Sequence, residues 1–487
     1  MQTYQPTTGQ YKATLPRMFR KAIMVVSGNA FASIFLLLRN LIVARLVSPE
    51  NYGIASTFAM SMSVVEMLSY LGLNQLMVVD KDGDDPKFQA AMQGFQMLRG
   101  FFSSAVLFLI AYPYAAFLGV ERVAWSYEVL ALVPLINGFQ HYDPHRQRRH
   151  LNFKPSVLAN SVPAMVSVLV LWPLALMFGD YRIMLFALFA QAITMVVTTH
   201  LTAERPYRLA LDPALMKRAT IFGWPLLLDG ALIFGAFNGE RMIVLRELGV
   251  SQFAFFTMAF TLTLTPTIVL ANSFQSLFLP NLSSAKNDPG LFQRLSVASV
   301  ESNLAIAVLL VLGTSLVGGP LAYALTGPKY ISILAVLVPI AILQAIRVAK
   351  NGGNTVALAC GKSSLSMMGN LVRVASLPIS WWIAVTTGNV LAIVQTVCVA
   401  EILAFGLSMW LMRHWTGVRL RPLALPIFLT GLLCAFAWFD TMRTPPNANL
   451  WLHLHWELLV VLLIGILALA SMGEMRLYLR KLIRKRG

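Results

Sequence analysis

Residues 40–51 read Asn40-Leu-Ile-Val-Ala-Arg45-Leu-Val-Ser48-Pro49-Glu50-Asn51, and residues 241–251 read Arg241-Met-Ile-Val-Leu-Arg246-Glu-Leu-Gly249-Val-Ser251. In each stretch an apolar run ends in an arginine and a short polar turn, and a new run rich in Phe, Thr, Ser and Met begins. A second pair of landmarks recurs at a similar offset: Phe153-Lys154-Pro155-Ser156 through Asn160 parallels Gly361-Lys362-Ser363-Ser364 through Asn370. The offsets, about 200 and about 210 residues, agree once loop lengths vary, so the chain reads as a duplicated unit. Six apolar runs separate equivalent positions. An even number leaves both copies facing the same way, as parallel repeats about an axis along a membrane normal.

The membrane reading comes from composition. Of 487 residues, 57% are hydrophobic and 12% charged, with mean hydropathy +0.67; soluble domains are about a quarter charged. The apolar runs are hydrophobic all round and about twenty residues long, the length that crosses ~30 Å of hydrocarbon. They lie near 22–46, 53–79, 100–118, 123–140, 156–178, 182–200, 220–246, 252–275, 297–318, 331–348, 365–386, 389–411, 423–440 and 451–472. The expected fold is therefore an all-α polytopic membrane protein of about fourteen transmembrane helices: two parallel-related six-helix lobes and two C-terminal helices. Its divisions are a cytoplasmic tail (1–21), an N-lobe (22–202), a cytoplasmic linker (203–219), a C-lobe (220–412), helices 13 and 14 (413–472) and a basic tail (473–487). Residues 1–16 are polar and the first run is too long and interrupted for a cleavable signal, so it is expected to be retained behind a short disordered tail.

Net charge is +17, which in a soluble protein suggests nucleic acid. Here the basic residues alternate from loop to loop, so no nucleic-acid partner is expected. One set of segments holds Lys12, Arg17, Arg20 and Lys21, then Lys81, Lys87 and Arg99, then Arg146, Arg148, Arg149 and Lys154, and ends on Arg476, Arg480, Lys481, Arg484, Lys485 and Arg486. The intervening turns carry only Arg45, Arg122, Arg182, Arg246, Lys329 and Arg443. By the positive-inside rule both termini are cytoplasmic. Trp125, Trp172, Trp381, Trp382, Trp438, Trp451 and Trp456 fall near outer ends and Trp224, Trp410 and Trp415 near inner ends, as an aromatic belt requires.

Chemistry of the catalytic kind is not expected. Gly361-Lys362-Ser363 resembles the end of a P-loop, but Val356 stands where that motif needs Gly. Cys360, Cys398 and Cys434 match no metal or disulfide spacing and read as small core residues. His141, His145 and His150 sit among Arg146, Arg148 and Arg149 in what reads as a solvated, headgroup-facing loop rather than a metal site. No loop outside the membrane is long enough to hold an enzyme's catalytic groups. The expectation is no enzyme, no metal and no cofactor, with proton or sodium coupling left open.

Ionisable groups within hydrocarbon cost at least a few kcal/mol and normally face a cavity or a partner. The candidates are Arg39, Glu66, Glu128, Asp229, Glu240, Arg241, Glu301, Arg347, Arg373 and Glu401. Arg39-Asn40 and Glu240-Arg241 occupy equivalent places in the two copies, opposite each other across a central cleft. One reading makes Arg39, Asn40, Arg241 and Arg373 a site for an anionic group, because guanidinium binds phosphate through a bidentate fork. The other makes Arg39–Glu240 or Arg241–Glu240 a structural ion pair. Glu66 lies mid-helix without a local partner and is a candidate for ion coupling. Asp229 follows Pro225 and precedes Gly230, where a bent helix is expected. With Glu240 these form a coupling or gating set. Arg347 reads as snorkelling toward the inner interface; Arg373 is deeper.

The stretch from Asn40 to Gly53, the second helix ending Tyr70-Leu-Gly-Leu-Asn-Gln75, Arg148-Arg149-His-Leu-Asn-Phe153-Lys154, and Leu358-Ala-Cys-Gly361-Lys362 together resemble the Wzx-type polysaccharide flippases of the multidrug/oligosaccharidyl-lipid/polysaccharide exporter superfamily. The resemblance covers the whole chain. It implies movement of an undecaprenyl-diphosphate-linked oligosaccharide from the cytoplasmic to the periplasmic face of the bacterial inner membrane, for exopolysaccharide or O-antigen synthesis. It also implies a cationic cavity lined by helices 1, 2, 7 and 8, membrane lipids as surroundings, and polymerase or chain-length machinery as partners. A peptidoglycan-precursor flippase and a cation-coupled drug exporter of the same superfamily are the alternatives, with an enzyme of lipid-linked glycan assembly more distant.

Overall fold

The computed structural model describes residues 8–362, 364–443 and 456–484. Among the described residues every regular element is helical. In chain order they are α1 (Thr8–Leu46), α2 (Pro49–Leu68), α3 (Leu73–Val79), α4 (Pro86–Phe117), α5 (Ala124–Leu130), α6 (Leu132–Gly138), α7 (Asp143–Arg149), α8 (Lys154–Leu169), α9 (Leu171–Met177) and α10 (Arg182–Leu201). There follow α11 (Pro213–Ser284), α12 (Pro289–Thr326), α13 (Leu334–Ala359), α14 (Ser364–Ala375), α15 (Leu377–Thr387), α16 (Val390–Thr416), α17 (Ala424–Arg443), α18 (Trp456–Ser471) and α19 (Gly473–Arg484). Among the described residues all fourteen apolar runs are found as helix, the last of them from Trp456; its residues 451–455 lie outside the described residues. Among the described residues nine stretches are long and apolar enough to cross a membrane, or ten when α2 and α3 count as one bent span. The 72-residue α11 holds two of the expected runs and breaks only at Gly249 (φ 83°, ψ 172°), a backbone that glycine adopts without a Cβ clash. The protein is a multi-pass all-α membrane protein.

Helix starts follow local chemistry. Asp85-Pro86, Asp212-Pro213 and Asp288-Pro289 open α4, α11 and α12, and in each the aspartate accepts a hydrogen bond from a first-turn amide. Proline's missing N–H costs nothing in that turn, and the aspartate satisfies an orphan donor there. These three caps lie at the end of the bundle that carries the basic loops, called here the basic end. The opposite, far end has Ser48-Pro49 capping α2 in the same way.

Three buried clusters position the interior. The largest joins the first and second halves: Tyr52, Phe58 and Tyr127 share it with Phe253, Phe256, Tyr330 and Leu337. It includes the far-end turns through Leu118, Val120 and Ile333, so the halves are sealed together there. At the basic end the buried core divides in two: one cluster around Leu73, Met77 and Phe88, which also takes in Ala219 at the start of α11, and one around Phe278, Val300 and Met412, where α17 and α18 join through Leu433 and Val461. Along one side α2 also lies directly on α11. A Cβ at Gly53 would sit 2.5 Å from the Val250 carbonyl, and one at Gly223 2.4 Å from the Leu71 carbonyl, so only glycine allows this approach.

The structure departs from expectation in four places. The expected disordered tail is helical from Thr8, and α1 is 39 residues long; residues 1–7 lie outside the described residues. At about 1.5 Å per residue it outruns a bilayer core. α11 keeps helical backbone angles through Pro225, while the run expected as one helix over 53–79 divides into α2 and α3 at a 45° bend, where Gly72 has φ 61°. The basic tail is a docked helix: the Met475 amide donates to Glu301 (2.7 Å), and Tyr478 stacks on Phe278 with centroids 4.8 Å apart. Residues 485–487 of that tail, and 444–455 before α18, lie outside the described residues.

The fourth departure is the histidine loop. It is knotted rather than solvated. Asp143 and His141 are buried; Arg146 donates to Asp143 (2.6 Å) and Glu204 (2.7 Å), and the Glu204 amide donates to Asp143 (2.8 Å). Burial alone would favour the neutral acid at Asp143, but Arg146 and the surrounding donors outweigh it and hold the carboxyl below its usual range. Burial, with Arg148 beside it, pushes His145 down to about 4.

Candidate functional site

In the second half, four elements bring five ionisable side chains together: Glu240 (α11), Arg347 and Lys350 (α13), Arg373 (α14) and Glu401 (α16). All are buried. Arg347 donates through Nη2 to Glu240 (2.7 Å) and through Nε to Glu401 (2.6 Å). Arg373 pairs with the same Glu401 oxygen, and Lys350 Nζ stands 3.7 Å from the other. Arg373 also donates to the Ala236 carbonyl (2.6 Å) and to Asn370 (3.2 Å). The ring of Phe237 lies under both guanidinium groups, 5.4 Å from Arg347 and 4.5 Å from Arg373. A cavity of about 160 Å³ opens beside this network, lined by Gln344, Arg347, Lys350, Asn354, Asn370 and Arg373 among others.

Glu240 therefore has neither of the partners foreseen for it. Arg347 takes it, and Arg347 is anchored between two carboxylates rather than snorkelling. Of the deep residues, Lys350 and Glu401 are the ones least foreseen as a pair. Their signal was there, because α13 carries Arg347, Lys350 and Asn351 on an otherwise apolar helix, and Glu401 interrupts the next-but-one run.

The first half is built differently. Its cavity of about 260 Å³ is lined by Glu66, Ser69, Tyr70, Gln96, Arg99, Asn137 and Gln140. A second, of about 240 Å³, shares Tyr70, Gln96, Arg99 and Gln140 and continues to His145, Arg148 and Asn160. The two together run from mid-bundle toward the basic end. Arg99 donates to the Ser69 carbonyl (3.0 Å) rather than to Glu66, and Glu66 is exposed to the open space. Asp229 is half-buried and has no ion pair or hydrogen bond among the described residues.

Between the halves stand the two repeat-related arginines. Arg39 is buried and donates to Gln191 of α10. Arg241 donates to Asn238 (3.0 Å) and sits over Phe253 (5.9 Å) and Phe260 (5.3 Å). The Nε of each has no hydrogen-bond partner. The buried hydroxyl of Tyr52 has no hydrogen-bond partner either. Asn40 turns back to the Leu36 carbonyl (2.8 Å) and does not join them. Arg373, expected beside them, belongs to the Glu401 network instead.

At the far end the other repeat-related pair crosses over. Arg45 donates to the Ala324 carbonyl at the end of α12 (2.9 Å). Arg246 donates to the Ala116 and Phe117 carbonyls at the end of α4 (3.0 and 2.9 Å). Each thus caps the last turn of a helix in the opposite half, where orphan carbonyls and the negative helix terminus favour a cation.

The polysaccharide biosynthesis protein family model matches residues 42–335. A membrane protein in the cps region of Klebsiella pneumoniae is 20% identical over 385 residues, covering 76% of this chain and 78% of that protein. The succinoglycan biosynthesis transport protein ExoT of Rhizobium meliloti is 23% identical, over 55% of this chain and 54% of its own. Among solved structures, the lipid II flippase MurJ in an inward closed conformation matches with a TM-score of 0.68 at 12% identity, over 94% of this chain and 99% of its own. An inward-facing multidrug-resistance MATE transporter of the MOP superfamily matches with a TM-score of 0.56 at 14% identity, over 79% and 95%. At such identity the structures speak for the fold, while the family match spans more than half of the sequence. The chain belongs to the polysaccharide biosynthesis protein family, as a membrane transporter rather than an enzyme.

Proposed function

We propose that the protein flips an undecaprenyl-diphosphate-linked oligosaccharide across the bacterial inner membrane by alternating access, with both termini cytoplasmic and two six-helix lobes moving about the cleft between them. The observation that carries this reading is that Arg39 and Arg241, from the repeat-related pairs Arg39-Asn40 and Glu240-Arg241, hold no carboxylate and each keep a buried Nε without a hydrogen-bond partner. A diphosphate must exchange its hydration for protein donors. Two guanidinium groups with free Nε–H groups can supply several charge-assisted hydrogen bonds at once. The seal at the far end, with the buried core divided into two clusters at the basic end, supports entry of the headgroup from the cytoplasm. Glu66 and Asp229 are the acids left open for proton or sodium coupling, whereas Glu240 holds Arg347.

The test is reconstitution. Purified protein in liposomes should move a lipid-linked glycan without nucleotide, and an imposed ion gradient should change the rate. Strict dependence on ATP would overturn the reading.

A further inference from the structure

The second-half network is unbalanced. Arg347, Lys350 and Arg373 bring three cations to two carboxylates, Glu240 and Glu401, in a buried setting. Lys350 is 5% exposed, and its Nζ lies beyond hydrogen-bond distance of Glu401. Gln344, 1% exposed, has no partner for either its amide nitrogen or its oxygen, and Arg347 Nη1 has none either. All three residues line the 160 Å³ cavity, together with the amides Asn351, Asn354 and Asn370. Buried polar groups are ordinarily satisfied, and a cluster of orphans around one space marks the place of something that satisfies them. Water can serve the amides. It cannot neutralise the surplus charge.

We propose that this cavity is a binding site for one compact anion, of carboxylate or phosphate size, separate from Arg39 and Arg241. Lys350 supplies the uncompensated charge, Arg347 Nη1 and the Gln344 amide nitrogen supply directed donors, and the asparagine amides complete the shell. The same chemistry serves a free anion or an acidic group on a sugar. The cavity holds either the small ion or one such substituent, and not an oligosaccharide.

The experiment is thermal unfolding of the purified protein in lipid nanodiscs at constant ionic strength, so it reads binding whatever the transported substrate is. Acetate and inorganic phosphate should raise Tm with saturation, as a ligand of the folded state does, and a bulky organic sulfonate should not. Lys350→Met should abolish the rise, and Gln344→Leu should weaken half-saturation about tenfold, the loss expected of a charge-assisted bond in a buried site. Gln344→Leu changes no charge, so it answers the question even where Lys350→Met does not fold. Glu66→Gln, in the other half, should keep the rise. Glucuronate acting like acetate, with glucose inert, assigns the site to an acidic sugar; acetate acting without glucuronate assigns it to a free anion. No anion-specific rise in the wild type, or a rise that survives Gln344→Leu undiminished, overturns the proposal.

Discussion

The two halves follow one pattern, yet the charges inside them are arranged differently. In the first half an acid and a base, Glu66 and Arg99, line one cavity without pairing, and the acid is open. In the second-half network Glu401 is held among three cations and Glu240 by one of them, and the excess is positive. Asn160 and Asn370, equivalent landmarks of the repeat, line a cavity in each half, so the architecture is shared and the chemistry has diverged. An unpaired acid can take and lose a proton as its surroundings change. A strapped network resists that, because removing either sign strands the other in low dielectric. Titration therefore belongs to the cavity at Glu66 and anchoring to the network at Glu401.

The strongest way to break this contrast is Glu401→Gln. Glu401 is the acceptor shared by Arg347, Arg373 and Lys350, and losing its charge leaves three cations against Glu240. The expected loss is about 3–5 kcal/mol, the range for breaking a buried charge network, read as a large fall in Tm or failure to accumulate in the membrane. Arg39→Met should cost about 1–2 kcal/mol, because among the described residues Arg39 hydrogen-bonds to the neutral Gln191 and to no carboxylate. Equal losses at the two sites would erase the distinction between strapped and open halves.

Next in size is transport by Arg241 variants. Arg241→Ala should reduce glycan movement at least tenfold while Tm changes little, because Arg241 holds no carboxylate. Arg241→Lys should fall between, since it keeps charge and loses the fork. Adding Glu240→Gln should restore nothing, as Glu240 answers to Arg347. Recovery of transport in that double variant would make Arg241 part of the scaffold.

These partners also mark how far the sequence could be read. The fourteen runs were legible because span length and hydropathy are local properties, and the repeat was legible because Arg45 and Arg246 close equivalent runs. The break near Gly249 was visible in Gly249-Val250-Ser251. Pairing was not legible. Glu240 meets Arg347 across 107 residues and Arg347 meets Glu401 across 54, and nothing local in a helix announces which neighbour its buried face will meet. Arg347 looked like a snorkelling residue because its position near one end was judged without α11 and α16 packed on it. The knot around Asp143 was hidden for the same reason: Glu204 and Thr199 come from the end of α10 and beyond.

A smaller effect sharpens the first half. Glu66→Gln should leave Tm near wild type and shift or flatten the pH dependence of transport in liposomes. Loss of folded protein instead would mean that Glu66 is paired in another state. Beside it, His145 provides a stability signal of known sign. It is held neutral, at about 4 against an unfolded value near 6.5, so the unfolded chain takes up the proton first. Its contribution is complete above pH 6.5 and fades as pH falls toward 4. His145→Gln should flatten the Tm profile across that window and leave the neutral-pH value little changed.

The smallest effects are expected at the far end, where the halves use the same device. Arg45 and Arg246 each donate to the last carbonyls of a helix across the seam, and both are exposed. An exposed hydrogen bond from a charged donor contributes about 0.5–1.5 kcal/mol, so Arg45→Gln or Arg246→Gln should raise the fraction open at that end about two- to tenfold. Spin-label distances between the far ends of α4 and α12 would report it. The bonds share no residue, so if each acts on the same closed state, their free energies add and the double variant multiplies the two shifts. A double variant no more open than the stronger single one would mean that one crossing alone holds the seam. The symmetry of the repeat would then survive there in geometry but not in energy, as it does in the two cavities.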